Sequence, residues 1–189
     1  VGSEVTRYSV LVDPEARLKK VIVSFRIVPK LAVLDPEVTL TLPRDLTIST
    51  GLDALCHAVE GMFSIHSSPL TDALAVEAVR AIWGTLPKLV EDLGNLELRA
   101  RMLYASLVAG YALNMTSTIL AHGLGYTLTT DFGIPHGLAT ALMLPAVLER
   151  VAPLRREKAE LLASTIGVEV DKVPAALRDF MGRIGAPRN

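Results

Sequence analysis

The sequence predicts a mainly α-helical domain preceded by a short β-rich stretch, and three observations carry that reading. Residues 1–43 hold short β-branched or apolar runs, whereas from about Asp45 onward the apolar spacing turns helical and stays so. Turn and cap residues (Asp35-Pro36, Ser68-Pro69, Asn95, Pro135, Gly167, Gly185) fall at intervals that suit helices. No repeat, low-complexity tract or linker interrupts the 189 residues, a length that suits one sizeable core or a helical domain with a small appendage.

The elements follow in order. Tyr8–Asp13, Lys20–Phe25 and Leu31–Leu34 read as short strands, with Asp13-Pro14-Glu15 turning the chain between the first two. Three short strands with few partners cannot bury both faces, so this stub reads as part of something larger. Asp35-Pro36 caps a short helix that stops before Pro43. A helix is expected from near Thr47 to Phe63, then a polar loop, His66-Ser67-Ser68-Pro69. An amphipathic segment runs from Leu70 to about Asp92, interrupted near Gly84 and Pro87, and another helix from Asn95 to about Ile119. Met102 to Thr130 carries no Asp, Glu, Lys or Arg, long enough to span a bilayer. Its Asn114, Thr116, Ser117, Thr118 and His122, and a glycine break at Gly123 and Gly125, favour a buried central helix followed by a polar loop. Pro135 sets up a helix through Val151, and weaker helices follow at Arg155–Ile166 and Val173–Ile184, with Gly167 and Gly185 as stops.

Composition narrows the function classes. Half the residues are hydrophobic and the mean hydropathy is +0.40, yet the net charge is only −1 with both signs scattered. Neither a nucleic-acid surface nor an anionic-membrane surface is suggested. A single cysteine, Cys56, excludes an internal disulfide and fits a reducing, cytoplasmic setting; beside His57 it reads as a small buried apolar residue. The start, Val1-Gly2-Ser3-Glu4, has no secretory character and no Met, so a processed chain or a fragment is expected.

The chemistry concentrates in one acidic residue and three histidines. Asp53 and His57 lie four apart on an expected helix, one turn above each other on one face. His122 and His136 are two more imidazoles, fourteen positions apart. Alone, each has an ordinary reading: a satisfied core histidine, or an aspartate capping backbone after Gly51. Together they differ. Asp53, His57 and His122 sit in apolar helical surroundings where an unpaired polar group is costly, and His136 opens a helix whose dipole disfavours an imidazolium. A shared divalent cation answers both objections. One carboxylate and three imidazoles suit Fe(II), Zn(II), Mn(II) or Co(II) rather than calcium. Such an ion would act as a Lewis acid, lowering an alcohol's pKa or polarising a carbonyl. His66, in its polar loop, is expected at the surface.

At these residues the chain resembles the iron-dependent alcohol dehydrogenase family. Ala32-Val33-Leu34-Asp35, Pro43, and Ile48-Ser49-Thr50-Gly51-Leu52-Asp53-Ala54-Leu55 through Glu60 are similar to the family's first signature. Ser68-Pro69-Leu70-Thr71-Asp72-Ala73-Leu74-Ala75 resembles its next helix start. His122-Gly123-Leu124-Gly125-Tyr126 and Gly133-Ile134-Pro135-His136-Gly137-Leu138-Ala139 resemble its second signature, and Gly2-Ser3-Glu4-Val5-Thr6 the end of its threonine-rich cofactor segment. The resemblance covers nearly the whole chain, most densely residues 1–150.

The resemblance implies that Asp53, His57, His122 and His136 hold a catalytic ion, usually Fe(II) with Zn(II) as an alternative, in a helical domain of dehydroquinate synthase-like architecture. It further implies that Thr6, Tyr8, Val10, Lys19, Thr39 and Leu42 touch NAD or NADP. Residues 1–43 would then be a remnant of the nucleotide-binding domain, and 44–189 a metal-binding domain incomplete at its C-terminal end. Many relatives carry a further histidine where this chain has Tyr126, and the phenol stands in as a hydrogen-bond or proton donor beside the metal. Relatives are about twice as long, and no G-x-G-x-x-G phosphate loop occurs here. The expected reaction is hydride transfer between a small alcohol or aldehyde and the nicotinamide, the isolated chain being inactive. A metal-binding helical domain without independent catalysis and a dehydroquinate synthase-like lyase are the alternatives; NAD versus NADP, substrate, metal and a homo-oligomeric state stay open.

Overall fold

The computed structural model describes residues 1–13, 15 and 18–186, with only the backbone for Val12, Leu18 and Lys19. An antiparallel hairpin, β1 (Tyr8–Asp13) and β2 (Leu18–Val23), leads into irregular chain. Among the described residues seven α-helices follow: α1 (Arg44–Phe63), α2 (Pro69–Glu91), α3 (Leu96–Met115), α4 (Leu120–Phe132), α5 (His136–Val151), α6 (Arg156–Ile166) and α7 (Val173–Arg183). The mainly helical expectation holds.

At the centre of the bundle stands α1, with α2, α3 and α5 packed around it. Sixteen of its twenty residues are buried. A helix buried on every side cannot show a one-sided apolar stripe, so its polar members, Asp53, His57 and Glu60, are interior groups in need of partners. That central place was expected of the charge-free stretch beginning at Met102. In the structure α3 buries Ala105, Val108, Ala109, Ala112 and Leu113 while leaving Tyr104, Tyr111 and Met115 exposed.

Other expectations are corrected in ways that have physical causes. The segment at 70–92 is one continuous helix, α2, despite Gly84 and Pro87. Ile82, Leu86, Leu89 and Val90 are buried around the proline, and that packing outweighs the lost backbone bond. Ser68 and Thr71 start it with a reciprocal capping box, Pro69 at the first turn. Leu31–Leu34 is not a strand, because among the described residues no neighbouring strand offers it a ladder. The second strand ends at Val23, and Phe25–Ile27 is a 3-10 turn capped by Ser24. After Asp35-Pro36 only a single 3-10 turn forms, Glu37–Thr39, with the Asp35 carboxylate accepting from the Glu37 amide at 2.9 Å. Of the expected β-turn, Pro14 lies outside the described residues.

The largest correction concerns the break after α3. It falls at 116–119, not at Gly123 and Gly125, and α3 and α4 meet there at 112°. Both glycines lie within α4, and a Cβ on Gly125 would come within 3.0 Å of the Thr140 backbone on α5. Glycine there lets α4 and α5 pack closely. Among the described residues His136–Leu154 is long and apolar enough to cross a membrane, but it packs in the bundle against α1, α4 and α7.

Candidate metal centre

Asp53 is the hub of the site. Its Oδ1 lies 3.4 Å from His122 Nε2, 3.7 Å from His136 Nε2 and 3.9 Å from His57 Nε2. Ligand atoms of Asp53, His122 and His136 all fall within 4.8 Å of one another. His57 completes the group from one turn along α1, its ring stacked on His122 at 4.8 Å between centroids. Ligand bonds of about 2.1 Å in a tetrahedral arrangement imply ligand–ligand separations of about 3.4 Å, which the Asp53–His122 pair meets and the Asp53–His136 and Asp53–His57 pairs approach.

Three elements deliver these side chains. α1 carries Asp53 and His57 on one face, as their spacing requires. His122 lies in the first turn of α4, and His136 is the first residue of α5. The approach of α5 depends on Gly137. A Cβ there would stand 1.9 Å from the Ser49 carbonyl oxygen and 2.8 Å from the Asp53 Cβ, so α5 presses its first turn onto α1 with no room for a side chain.

The chemistry of the donor set, with buried polar atoms that lack a hydrogen bond, fits a cation. Asp53 Oδ1, His122 Nε2 and His57 Nδ1 are buried and make no hydrogen bond. Leaving such groups unpaired is costly, and a bound ion would satisfy the first two together. Burial pushes the Asp53 carboxyl pKa up, but the three imidazoles outweigh it and hold the group well below the usual carboxylate range. For His57, burial drives the pKa down to about 4 against the pull of Asp53, so the ring is neutral and ligand-ready near pH 7. Burial would also lower His122, but the Asp53 and Glu60 carboxylates on its two sides outweigh burial and raise it to about 9. In the absence of a metal, a proton on His122 supplies the positive charge that the carboxylates demand.

A cleft of about 390 Å³ opens onto the centre. Asp53, His57, His122, His136 and Tyr126 line one side, and Thr6, Tyr8, Val10 and Val21 of the hairpin region the other. The hairpin is tied down where the Arg7 amide donates to Asn114 Oδ1 (2.9 Å) and the Tyr8 hydroxyl to the Thr116 carbonyl (3.3 Å). Tyr126 stacks obliquely by His136, centroids 5.6 Å apart; burial, then Asp53 and Glu60, raise its pKa, so the phenol keeps its proton. Thr39 and Leu42 do not join this cleft. They line a neighbouring cavity of about 330 Å³ that shares only Val1 with it. Lys19 pairs with Val12 through the backbone, and its side chain lies outside the described residues. His66 is exposed and Cys56 fully buried, burial raising the thiol pKa well above its ordinary value, as their sequence contexts suggested.

Beside the cluster, Glu60 had no role assigned from sequence; it is fully inaccessible and lies against His122. Its spacing from Asp53, two turns along the same helix face, was the available signal.

The fold and the Asp53 cluster define a helical domain with a candidate metal centre, and comparison with known proteins places it. Residues 47–189 match the model for the Fe-containing alcohol dehydrogenase family, C-terminal. The chain belongs to that family. It is 37% identical to 1,3-propanediol dehydrogenase of Klebsiella pneumoniae, over 100% of this chain and 51% of that protein. An iron-containing alcohol dehydrogenase of Thermotoga maritima superposes with a TM-score of 0.86 at 43% identity, covering 100% of this chain and 49% of the other. Sulfoacetaldehyde reductase of Bifidobacterium kashiwanohense, solved with NAD+, gives a TM-score of 0.90 at 35% identity, covering 99% and 50%. The chain thus spans about half the length of the curated relatives it matches.

Proposed function

We propose that this chain is the metal-binding part of a metal-dependent alcohol dehydrogenase that transfers a hydride between a small alcohol or aldehyde and a nicotinamide cofactor. The observation that carries this reading is the convergence of three imidazole nitrogens on Asp53 Oδ1 beside a cleft large enough for a small substrate and a nicotinamide ring. Asp53, His57, His122 and His136 hold the ion, Fe(II) or Zn(II). When bound, it supplies the positive charge that stabilises developing negative charge on the substrate oxygen. Thr6, Tyr8 and Val10 orient the nicotinamide from the hairpin wall, while Thr39, Leu42 and Lys19 serve other parts of NAD or NADP. Tyr126 holds a proton at its hydroxyl beside the site for exchange with the alcohol.

Residues 1–43 then belong to a cofactor-binding domain and 44–189 to the metal-binding domain. The apolar hairpin, exposed on both faces, supports that division. The protein would act in the cytoplasm. A second reading is a metal-binding helical domain without independent catalysis.

Titration with Fe(II) or Zn(II), followed by calorimetry and elemental analysis, is expected to give one ion per chain. NAD(P)H oxidation with short aldehydes is expected to be slight for this chain alone. It should appear when residues 1–189 are expressed together with any upstream coding sequence that supplies a glycine-rich phosphate loop. A chain that binds no metal would end the dehydrogenase reading; metal binding with no turnover in the longer product would favour the second.

A further inference from the structure

We propose that Glu60 is a positioning residue that sets both the place and the tautomer of His122, an inference resting on the metal-centre reading above. Glu60 is wholly buried on the α1 face that carries Asp53 and His57. Its two carboxylate oxygens do different work. Oε1 accepts from the backbone amides of Ile119 (2.9 Å), Ala121 (3.0 Å) and His122 (3.3 Å), satisfying orphan donors at the start of α4. No side chain of α4's own N-cap, Ile119, could do this. Oε2 meets Nδ1 of the His122 ring. One side chain therefore starts the helix, fixes the backbone of His122 and grips its imidazole.

The tautomer follows from the acceptor chemistry. A carboxylate offers only acceptors to a ring nitrogen, so Nδ1 carries the proton and donates it to Glu60. A neutral ring then has its lone pair on Nε2, the nitrogen 3.4 Å from Asp53 Oδ1 and without a hydrogen-bond partner. The opposite tautomer would aim an N–H at the place where a cation must sit. A carboxylate behind a metal-binding imidazole also raises the basicity of the ligating nitrogen. Because Glu60 acts through His122 and faces away from the cleft, its contribution is orientation.

The test is Glu60→Gln in the full chain, with Zn(II) as the probe. Glutamine keeps an oxygen for the α4 amides but sets an NH2 group against Nδ1, which forces the ring proton onto Nε2. Zinc affinity by calorimetry should fall about 10- to 100-fold. The thermal midpoint of the metal-free chain should stay close to that of the wild type, since the helix start keeps its acceptor. A second readout needs no variant: ¹H–¹⁵N spectra of the zinc-loaded wild type should show the His122 proton on Nδ1, slow to exchange with solvent. Unchanged zinc affinity in the variant, or a His122 proton found on Nε2 in the loaded wild type, overturns the proposal alone. Loss of affinity matched by collapse of the metal-free fold overturns it in favour of a purely structural cap. A wild type that takes up no zinc overturns the metal-centre reading and this inference with it.

Discussion

The two walls of the cleft are built under different physical regimes. On the helical side Asp53, His57 and Glu60 project from a helix buried on nearly every face, and His122 and His136 enter from helix starts pinned by Glu60 and Gly137. On the hairpin side, Val5 is the one residue of 1–43 among the buried hydrophobic groups of the described residues, while Val10, Leu11, Val21, Ile22 and Val23 are each about half exposed. Both stretches are equally apolar in sequence. In one the pattern is met by packing within the chain; in the other it is a two-sided apolar ribbon that this chain leaves uncovered. A metal centre needs ligands held to fractions of an ångström, and the candidate ligands lie on the over-determined side.

Substitutions at the hub, in the packing behind it and on the hairpin sharpen or break that contrast. The largest expected effect is at the hub. Asp53→Ala or His122→Ala should abolish stoichiometric metal binding by elemental analysis, while His66→Ala, exposed and remote from the cluster, should leave it unchanged. Equal behaviour of His66→Ala and His122→Ala would remove the ligand assignment.

Next comes the packing that supports the helical wall. Phe180 is fully buried and stacks on Trp83 at 4.2 Å, and Phe180→Ala should cost about 3–5 kcal/mol in denaturant unfolding. Gly137→Ala puts a methyl group onto the Ser49 carbonyl and should cost about 1–3 kcal/mol. Because the α1–α5 crossing must widen, zinc affinity should fall as well, a double effect not expected from Phe180→Ala. If the alanine variant bound metal as the wild type does, α5 placement would not depend on that contact.

The smallest effect belongs to the hairpin. Leu11→Ser should change stability by no more than about 0.5 kcal/mol, since Leu11 is half exposed and buries little against the bundle. A loss of several kcal/mol there would show that the hairpin is part of the folding core and erase the distinction between the two walls.

Much of the site was legible because it is local. Asp53 and His57 are brought together by helix pitch alone, and the same pitch adds Glu60. His136 at a helix start could be read from Gly133-Ile134-Pro135, and α2 from Ser68-Pro69. The misreadings share a cause. The break at 116–119 was placed at the glycines because its true support, the Glu60 carboxylate, comes from about sixty residues away. The expected interruption at Pro87 vanished because burial around it came from other helices. Leu31–Leu34 lacked a strand because strand propensity needs a neighbour.

What the sequence by itself determined was a helical body, its turns and caps, and an acid–imidazole pair one helical turn apart, all consequences of backbone geometry over a few residues. Only the tertiary structure decided that α4 begins where Glu60 can reach it and that α5 comes near enough to bring His136 to Asp53. It also decided that Thr6, Tyr8 and Val10 line the cleft beside the Asp53 cluster while Thr39 and Leu42 line another. Those outcomes turn on contacts between groups tens of residues apart, where a missing Cβ or a single buried carboxylate governs the distance between helices, and no local pattern encodes that distance.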